Sequence, residues 1–481
     1  MEPLAFQPSM LLAILPEIGL VVLGSLVLVL DLAWHGPARR GLGWVTAAGL
    51  FMVLVITLIF ARPGPEAQLI FGGMLRLDGT AFVFRLVFMM GAALTALFMV
   101  DHKPEGQHGE FYLLLLVATL GMNLMASSAD LIMLYLAIET TSLPLYVMAG
   151  SMTRDPNSTE AGMKYFLFGA LTSAIMLYGF SLLYGFSGTT NLYAMASQFR
   201  SNDVWVLVSV TLVLVGFGFK VSAVPLHFWA PDVYQGAPTP VAGFLSTASK
   251  AAGFAVLMRV MMAAFPNIVM SWTTLVAILA AASMIVGNVL ALVQKNIKRL
   301  LAYSSIAQAG YILLGVASAN DLGYAGATFY LISYLVTNLA AFGIVALVGR
   351  SLGSDNLDAY SGLHRRSPGL AMALLVALLS LGGIPPLSGF VGKLLVIGAS
   401  VQAGLIWLAF LAVVTSVIGL YYYLNVLKIA FVGKPAEGTT LLHVTAPWRV
   451  ALVVCMVGIF FLGTVFGPWY TLASYGSALI P

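Results

Sequence analysis

VWVLVSVTLVLVGFGFKVSAVPLHFWAPDVYQG (residues 204–236) and GLAMALLVALLSLGGIPPLSGFVGKLLVIGAS (residues 369–400) decide how this chain folds. Both stretches are apolar, and they run for 33 and 32 residues. A helix needs only about 20 residues to cross a bilayer. The first contains Pro225 and Pro231, the second the run Gly382-Gly383-Ile384-Pro385-Pro386. Proline removes a backbone donor and obstructs the preceding helical turn. Backbone freed at membrane depth is tolerated only inside protein or beside a wet cavity. Both stretches therefore read as broken transmembrane helices. Each also carries a lysine at depth: Lys220 five residues before Pro225, and Lys393 seven residues after Pro386.

The whole chain agrees with that reading. Of its 481 residues 60% are hydrophobic and 8% charged, against about 25% charged in a soluble domain. This composition predicts an all-α polytopic membrane protein, a single membrane domain over 1–481. The net charge of +4 is small and spread over short loops, so nothing points to nucleic acid. The single cysteine, Cys455, lies in an apolar run; it excludes a disulfide framework and a thiolate metal site and reads as a small core residue. The N-terminal Met-Glu-Pro-Leu has no basic region before the first apolar run, which predicts no cleaved leader.

Hydrophobicity predicts fourteen spans: 10–32, 42–60, 76–100, 110–126, 130–152, 161–186, 204–236, 239–265, 272–293, 299–318, 323–349, 369–400, 404–432 and 447–470. Breakers separate them at Arg62-Pro63-Gly64-Pro65, Asp155-Pro156-Asn157 and Gly433-Lys434-Pro435. Basic residues concentrate in alternate loops: Arg39, Arg40, Lys103, Arg154, Lys295, Lys298, Arg299, Arg350, Arg365, Arg366 and Lys434. The opposite loops carry Arg62, Arg76 and Arg200. The richer side faces the cytoplasm, so both termini are expected outside.

The broken helices are spans seven and twelve, five apart. That spacing predicts two repeats of opposite topology, spans four to eight (110–265) and nine to thirteen (272–432), after three initial helices (10–100) and before a last one (447–470). Inverted repeats with broken helices in matching places mark transporter architecture. Direct echo is thin: Pro225-Leu226-His227-Phe228 and Pro386-Leu387-Ser388-Gly389-Phe390 share Pro-Leu and a nearby Phe. Two unrelated proline kinks are the competing explanation.

The candidate chemistry lies in ionisable groups inside spans, each costing roughly 2.5 kcal/mol or more at bilayer depth. Glu139 lies about 14 Å and Lys250 about 16 Å into their spans, at about 1.5 Å of rise per residue. Neither snorkels easily from there. A buried ion pair that merely fixes packing is the bland alternative. One carboxylate cannot neutralise three amines, however. An amine without a counter-charge in apolar surroundings readily gives up its proton. Glu139, Lys220, Lys250 and Lys393 are thus the candidate proton carriers. Lys164, four residues after Glu160, reads as a surface pair or a second station. His227 and Asp232 flank the span-seven break and read either as caps or, for His227, as a relay to Lys220. Lys295, Lys298 and Arg299 read as an inner anchor. The chain shows no haem-ligating histidine pair, iron–sulfur cysteine cluster, P-loop or dinucleotide motif. Its proton movement must then be driven by a gradient or a partner.

The segments PLHFWAPDVYQGAPTPV (225–241) and KRLLAYSSIAQAGYILLG (298–315) resemble the signatures of the antiporter-like proton-translocating subunits of respiratory complex I, themselves similar to multi-subunit Na+/H+ antiporters. The resemblance covers essentially the whole chain. Within the family it is strongest to the subunit N branch. The length is near 480 with no long C-terminal lateral helix, Lys393 stands where subunit M has a glutamate, and Ala307-Gln308-Ala309-Gly310 replaces the histidine-containing run of subunits L and M. Any relay in span ten must therefore use Ser304, Ser305, Gln308 or water, and span eleven offers only Tyr334 and Asn338.

The resemblance implies a subunit of NADH-quinone oxidoreductase, in a bacterial cytoplasmic membrane, with no cofactor in this chain. It implies a hetero-oligomer with other complex I membrane subunits, neighbouring subunits M and K among them. It makes Glu139 and Lys220 a coupled pair, Lys250 the central station and Lys393 the exit-side station. It also gives Lys164 and Lys295 family lysine positions. A subunit of a cation/proton antiporter, a subunit of a membrane-bound hydrogenase-type complex and a scaffold with vestigial lysines are the competing functions.

Overall fold

The computed structural model describes residues 9–64, 66–102, 105–199, 204–434 and 442–477. Lys103, Arg200, Pro65, Pro435 and the N-terminal Met-Glu-Pro-Leu, all used above, lie outside them. Thirteen helices among the described residues are long and apolar enough to cross a membrane. In chain order the elements that matter below are α1 (Leu15–Ala33), α2 (Gly41–Phe60), α3 (Gly79–Met99), α4 (Gly109–Ser127), α5 (Leu131–Ala149), α6 (Pro156–Ser187), α7 (Val204–Val221), α8 (Trp229–Gly236), α9 (Thr239–Ala264), α10 (Val269–Leu292), α11 (Ile297–Ala317) and α12 (Asp321–Leu352). They continue with α13 (Pro368–Gly382), α14 (Ser388–Gln402), α15 (Ile406–Val432), α16 (Ala446–Thr464) and α17 (Phe466–Ser477).

The expected breaks are present. Span seven divides into α7 and α8, and span twelve into α13 and α14. The Val224–Pro225 and Pro385–Pro386 peptide bonds are cis. Backbone groups around the first break find partners from the other half-helix and from a separate helix: Trp229 Nε1 donates to the Phe219 carbonyl at 3.2 Å, and the Val224 amide donates to Ser283 Oγ of α10 at 2.9 Å. Tyr165 of α6 stacks on Trp229 with ring centroids 4.4 Å apart. The half-helix α8 is thereby held by packing, not by continuity of the chain.

Several ends differ from the expected spans for local reasons. Helix α6 starts earlier, at Pro156, because Asp155 caps the Asn157 amide and proline suits the first turn. It ends where Gly188 takes φ 68°. Residues 76–78 are not helical. They close a small hairpin, β1 (Gln68–Ile70) with β2 (Leu75–Leu77), turned by Gly72 and Gly73 at positive φ. Asp78 then caps α3. The hairpin and α17 are additions that hydrophobic windows do not register, since neither is a long apolar run.

Burial divides the helices into two kinds. Helices α9, α11 and α12 are almost wholly enclosed. Outer helices present Val22, Leu32, Phe51, Val417 and Val457 outward, as a lipid-facing surface requires. A helix apolar all round is either enclosed or lipid-facing. Here the enclosed ones carry the buried polar side chains Lys250, Ser304, Ser305, Gln308, Thr337 and Asn338.

Candidate proton path

Glu139 and Ser142 lie one turn apart on α5. Ser173 of α6 donates to Glu139 Oε1 at 2.5 Å. The Lys220 amine, at the end of α7, donates to Ser142 Oγ. Glu139 and Lys220 form no ion pair among the described residues. Ser142 receives the amine's hydrogen bond in place of the carboxylate. The expected pair is therefore a cluster of Glu139, Ser142, Ser173 and Lys220.

Lys250 is completely buried. It follows a π-helical turn, Leu245–Ser249, a distortion that often marks functional positions in helices. Its amine donates to the Ser305 carbonyl at 2.9 Å and to Ser305 Oγ at 2.5 Å on α11. No acid pairs with it among the described ion pairs. One turn further along α9, a methyl group on Gly253 would sit 3.1 Å from Lys220 Cβ. The missing side chain lets the two lysine-bearing helices touch.

Polar groups continue from Lys250 toward Lys393. Ser304 and Gln308 of α11 meet the Tyr423 hydroxyl of α15 at 2.5 and 3.2 Å. Tyr330 of α12 donates to Gln308 Oε1. The adjacent Tyr422 hydroxyl donates to Asn288 Oδ1 at 3.2 Å, and Asn288 donates to the Tyr311 hydroxyl at 3.1 Å. Tyr311 donates to Thr415 Oγ1 at 3.2 Å, and its ring lies 4.9 Å from the Lys393 amine. Lys393 itself donates to Ser416 Oγ at 2.8 Å and to the Gly382 carbonyl at 3.1 Å. Gln308 takes the neighbouring Leu381 carbonyl at 3.1 Å. Carbonyls released by the second break are thus held by side chains of the path. Lys393 is buried and does not point outward.

Lys164 bridges Glu160 and Asp232, both at 2.6 Å. Asp232 also holds Arg299 at 2.7 Å. Asp232 is therefore an ionic hub rather than a backbone cap. Lys298 pairs with Asp355 at 3.0 Å beside a cleft of about 380 Å³ that His102, Asp155 and Thr239 also line. His227 is buried against Phe228, and its Nδ1 has no hydrogen-bond partner. Lys295 is exposed in its loop and joins none of these groups.

Three further intramembrane charges, Glu17, Arg85 and Arg259, escaped the sequence reading. Glu17 of α1 pairs with Arg85 of α3 at 2.8 Å. Arg259 of α9 grips Asp78 with two hydrogen bonds of 2.8 Å and reaches the Tyr193 hydroxyl at 2.8 Å. Each sits in an apolar run as plainly as Lys220 does. What distinguishes them is a paired opposite charge, which separates structural staples from the unpaired amines of the path. Cys455 is buried, as expected of a core residue.

Residues 128–419 match the family described as NADH:quinone oxidoreductase/Mrp antiporter, transmembrane. The chain is 42% identical over 475 residues to NAD(P)H-quinone oxidoreductase subunit 2 of Synechococcus, covering 96% of this chain and 90% of that one. It is 43% identical over 451 residues to NADH-quinone oxidoreductase subunit N of Moorella thermoacetica, covering 93% and 94%. A chain of respiratory complex I from Thermus thermophilus with bound aureothin superimposes with TM-score 0.80 at 38% identity, covering 96% of this chain and 100% of that one. A chain of the Mrp complex from Dietzia superimposes with TM-score 0.82 at 23% identity, covering 98% and 97%; that likeness is one of fold.

Proposed function

The chain belongs to the NADH:quinone oxidoreductase/Mrp antiporter transmembrane family, and on that premise we propose that it is the proton-translocating membrane-arm subunit N of an NADH-quinone oxidoreductase. Its carriers are Glu139, Lys220, Lys250 and Lys393. Quinone reduction in partner subunits drives it, and the redox cofactors reside there. Subunits M and K are the expected neighbours, in a bacterial cytoplasmic membrane with both termini outside. The fourteen spans count the broken pairs α7–α8 and α13–α14 as one each, arranged as two inverted repeats.

The observation that carries this reading is the line of hydroxyls, amides and phenols between two unpaired buried amines, Lys250 and Lys393. A dry apolar layer would insulate one amine from the other. Hydroxyls both donate and accept, so a chain of them passes a proton without any group travelling far. Lys393 serves as the exit-side station, and the Lys298–Asp355 cleft supports intake from the cytoplasm. Lys164, His227 and Lys295 are assigned as accessory relay positions, with Lys295 at the water-exposed end.

Glu139→Ala is the test. The carboxylate favours the charged amine, and moving it away lets Lys220 release its proton. The variant should assemble, and proton uptake into inverted membrane vesicles per NADH oxidised should fall. Full pumping by Glu139→Ala would leave Glu139 as a packing residue.

A further inference from the structure

Tyr234 lies on α8, between the two lysines of the first half, and belongs to no step described so far. Its ring is wedged edge-on between Trp229, 5.9 Å away, and Phe342 of α12, 6.0 Å away. The side chain is fully buried. Its hydroxyl lies close to those of Ser305 and Ser222 without a well-formed hydrogen bond to either. Buried tyrosine hydroxyls normally find a partner, and an unsatisfied one calls for an explanation. Ser305 holds the Lys250 amine. Ser222 follows Lys220 by two residues, at the start of the first break. It is completely buried, its Oγ has no partner, and its φ of 58° is unusual for a residue with a side chain. Tyr334 of α12 also lies close to Ser305, without a well-formed hydrogen bond.

We propose that Tyr234 is the gate through which a proton passes from the Lys220 cluster to Lys250. The inference rests on the proposed proton path. In the state described here Ser142 occupies the Lys220 amine and Ser305 occupies Lys250, so the phenol between them is idle. When the Lys220 ammonium leaves Ser142 for Ser222, it gives Ser222 Oγ a proton. Ser222 passes its own to the Tyr234 oxygen, the phenol passes its own to Ser305 Oγ, and Ser305 passes its own to a neutral Lys250. Each hydroxyl gains one proton as it loses one. The net change is one proton moved from the Lys220 ammonium to the Lys250 amine, with no electron transferred. The aromatic wedge fixes the ring, so only O–H rotation is needed. A gate of this kind keeps the two lysines from exchanging protons until the first cluster rearranges.

Tyr234→Phe removes the hydroxyl alone and leaves the wedge. It should be made in the complete complex, beside Lys250→Met and Tyr334→Phe, with assembly followed by native electrophoresis. The expected result is normal assembly and a several-fold loss of proton pumping per NADH oxidised. The solvent deuterium isotope effect on turnover should change as well, which a packing residue would not produce. Tyr334→Phe should cost less, because Tyr334 faces Ser305 and not Ser222. Wild-type pumping and isotope effect in Tyr234→Phe, with pumping lost in Lys250→Met, would overturn the gate and leave the path standing. Full pumping in Lys250→Met would remove the path itself. A loss confined to Tyr334→Phe would transfer the role away from Tyr234.

Discussion

Replacing Lys250 by arginine keeps the positive charge and removes the ability to lose it. Arginine stays protonated at any working pH. Arginine holds its proton about 2–3 pH units more tightly than lysine, so at about 1.36 kcal/mol per unit release from the same site becomes roughly 3–4 kcal/mol harder. A barrier raised by that amount slows a hop by about two to three orders of magnitude. The site also fits arginine poorly. Lys250 is completely enclosed, and its amine meets two acceptors, both on Ser305. A guanidinium brings five donors, and each buried donor left unmet costs about 1–3 kcal/mol. Lys250→Arg should therefore pump no better than Lys250→Met, whose unbranched neutral chain fills similar space. The assay is acidification of inverted vesicles normalised to NADH oxidation, with the amount of assembled complex measured in parallel. Wild-type pumping by assembled Lys250→Arg would refute the reasoning, because charge rather than proton exchange would then be the requirement.

Asp78→Asn should strip Arg259 of its counter-charge inside the protein; breaking one partner of a buried pair costs about 3–5 kcal/mol, so the melting temperature and membrane yield should fall while Glu17→Gln, at the separate Arg85 pair, adds independently. Gly383→Ala forces a side chain onto φ 84° and sets its methyl 2.9 Å from Lys393 Cδ. The backbone alone costs about 1–2 kcal/mol, and pumping should drop with the displaced amine; an unchanged pump would show that the Lys393 position is not critical. Glu105, in the loop before α4, is buried, which would raise its carboxyl, but the His102 hydrogen bond at 3.1 Å, a backbone hydrogen bond and the nearby His102 and His108 together outweigh this and hold it below the usual range. Its contribution is present above the ordinary carboxylate value and fades as pH falls through the lowered one. Melting temperature should therefore decline from pH 5 toward pH 3 by less in Glu105→Gln than in the wild type, an expected difference of about 1 kcal/mol or less; identical acid profiles would exclude the contribution.

The sequence by itself determined the class and the two broken helices, and it singled out the three buried lysines proposed above as carriers. The reason is energetic: apolar runs, paired prolines and a lysine at depth each have so few tolerable environments that residue type alone limits the outcome. Lys220, Lys250 and Lys393 are legible as buried amines because apolar runs surround them, but Arg85 and Arg259 lie in such runs too, and sequence alone does not tell the two kinds apart. The partners were not legible. Ser142 on Lys220, Ser305 on Lys250 and Ser416 on Lys393 are ordinary serines in apolar helices, and a serine there costs little whether it serves the path or bonds its own backbone. The separation of Glu139 from Lys220 by Ser142, the ionic hub at Asp232 and the idle Tyr234 hydroxyl depend on helices far apart in the chain. So does the division between unpaired lysines and the paired Arg85 and Arg259. Only the packing of helices far apart in the chain decides which buried charge meets an acid and which meets only hydroxyls.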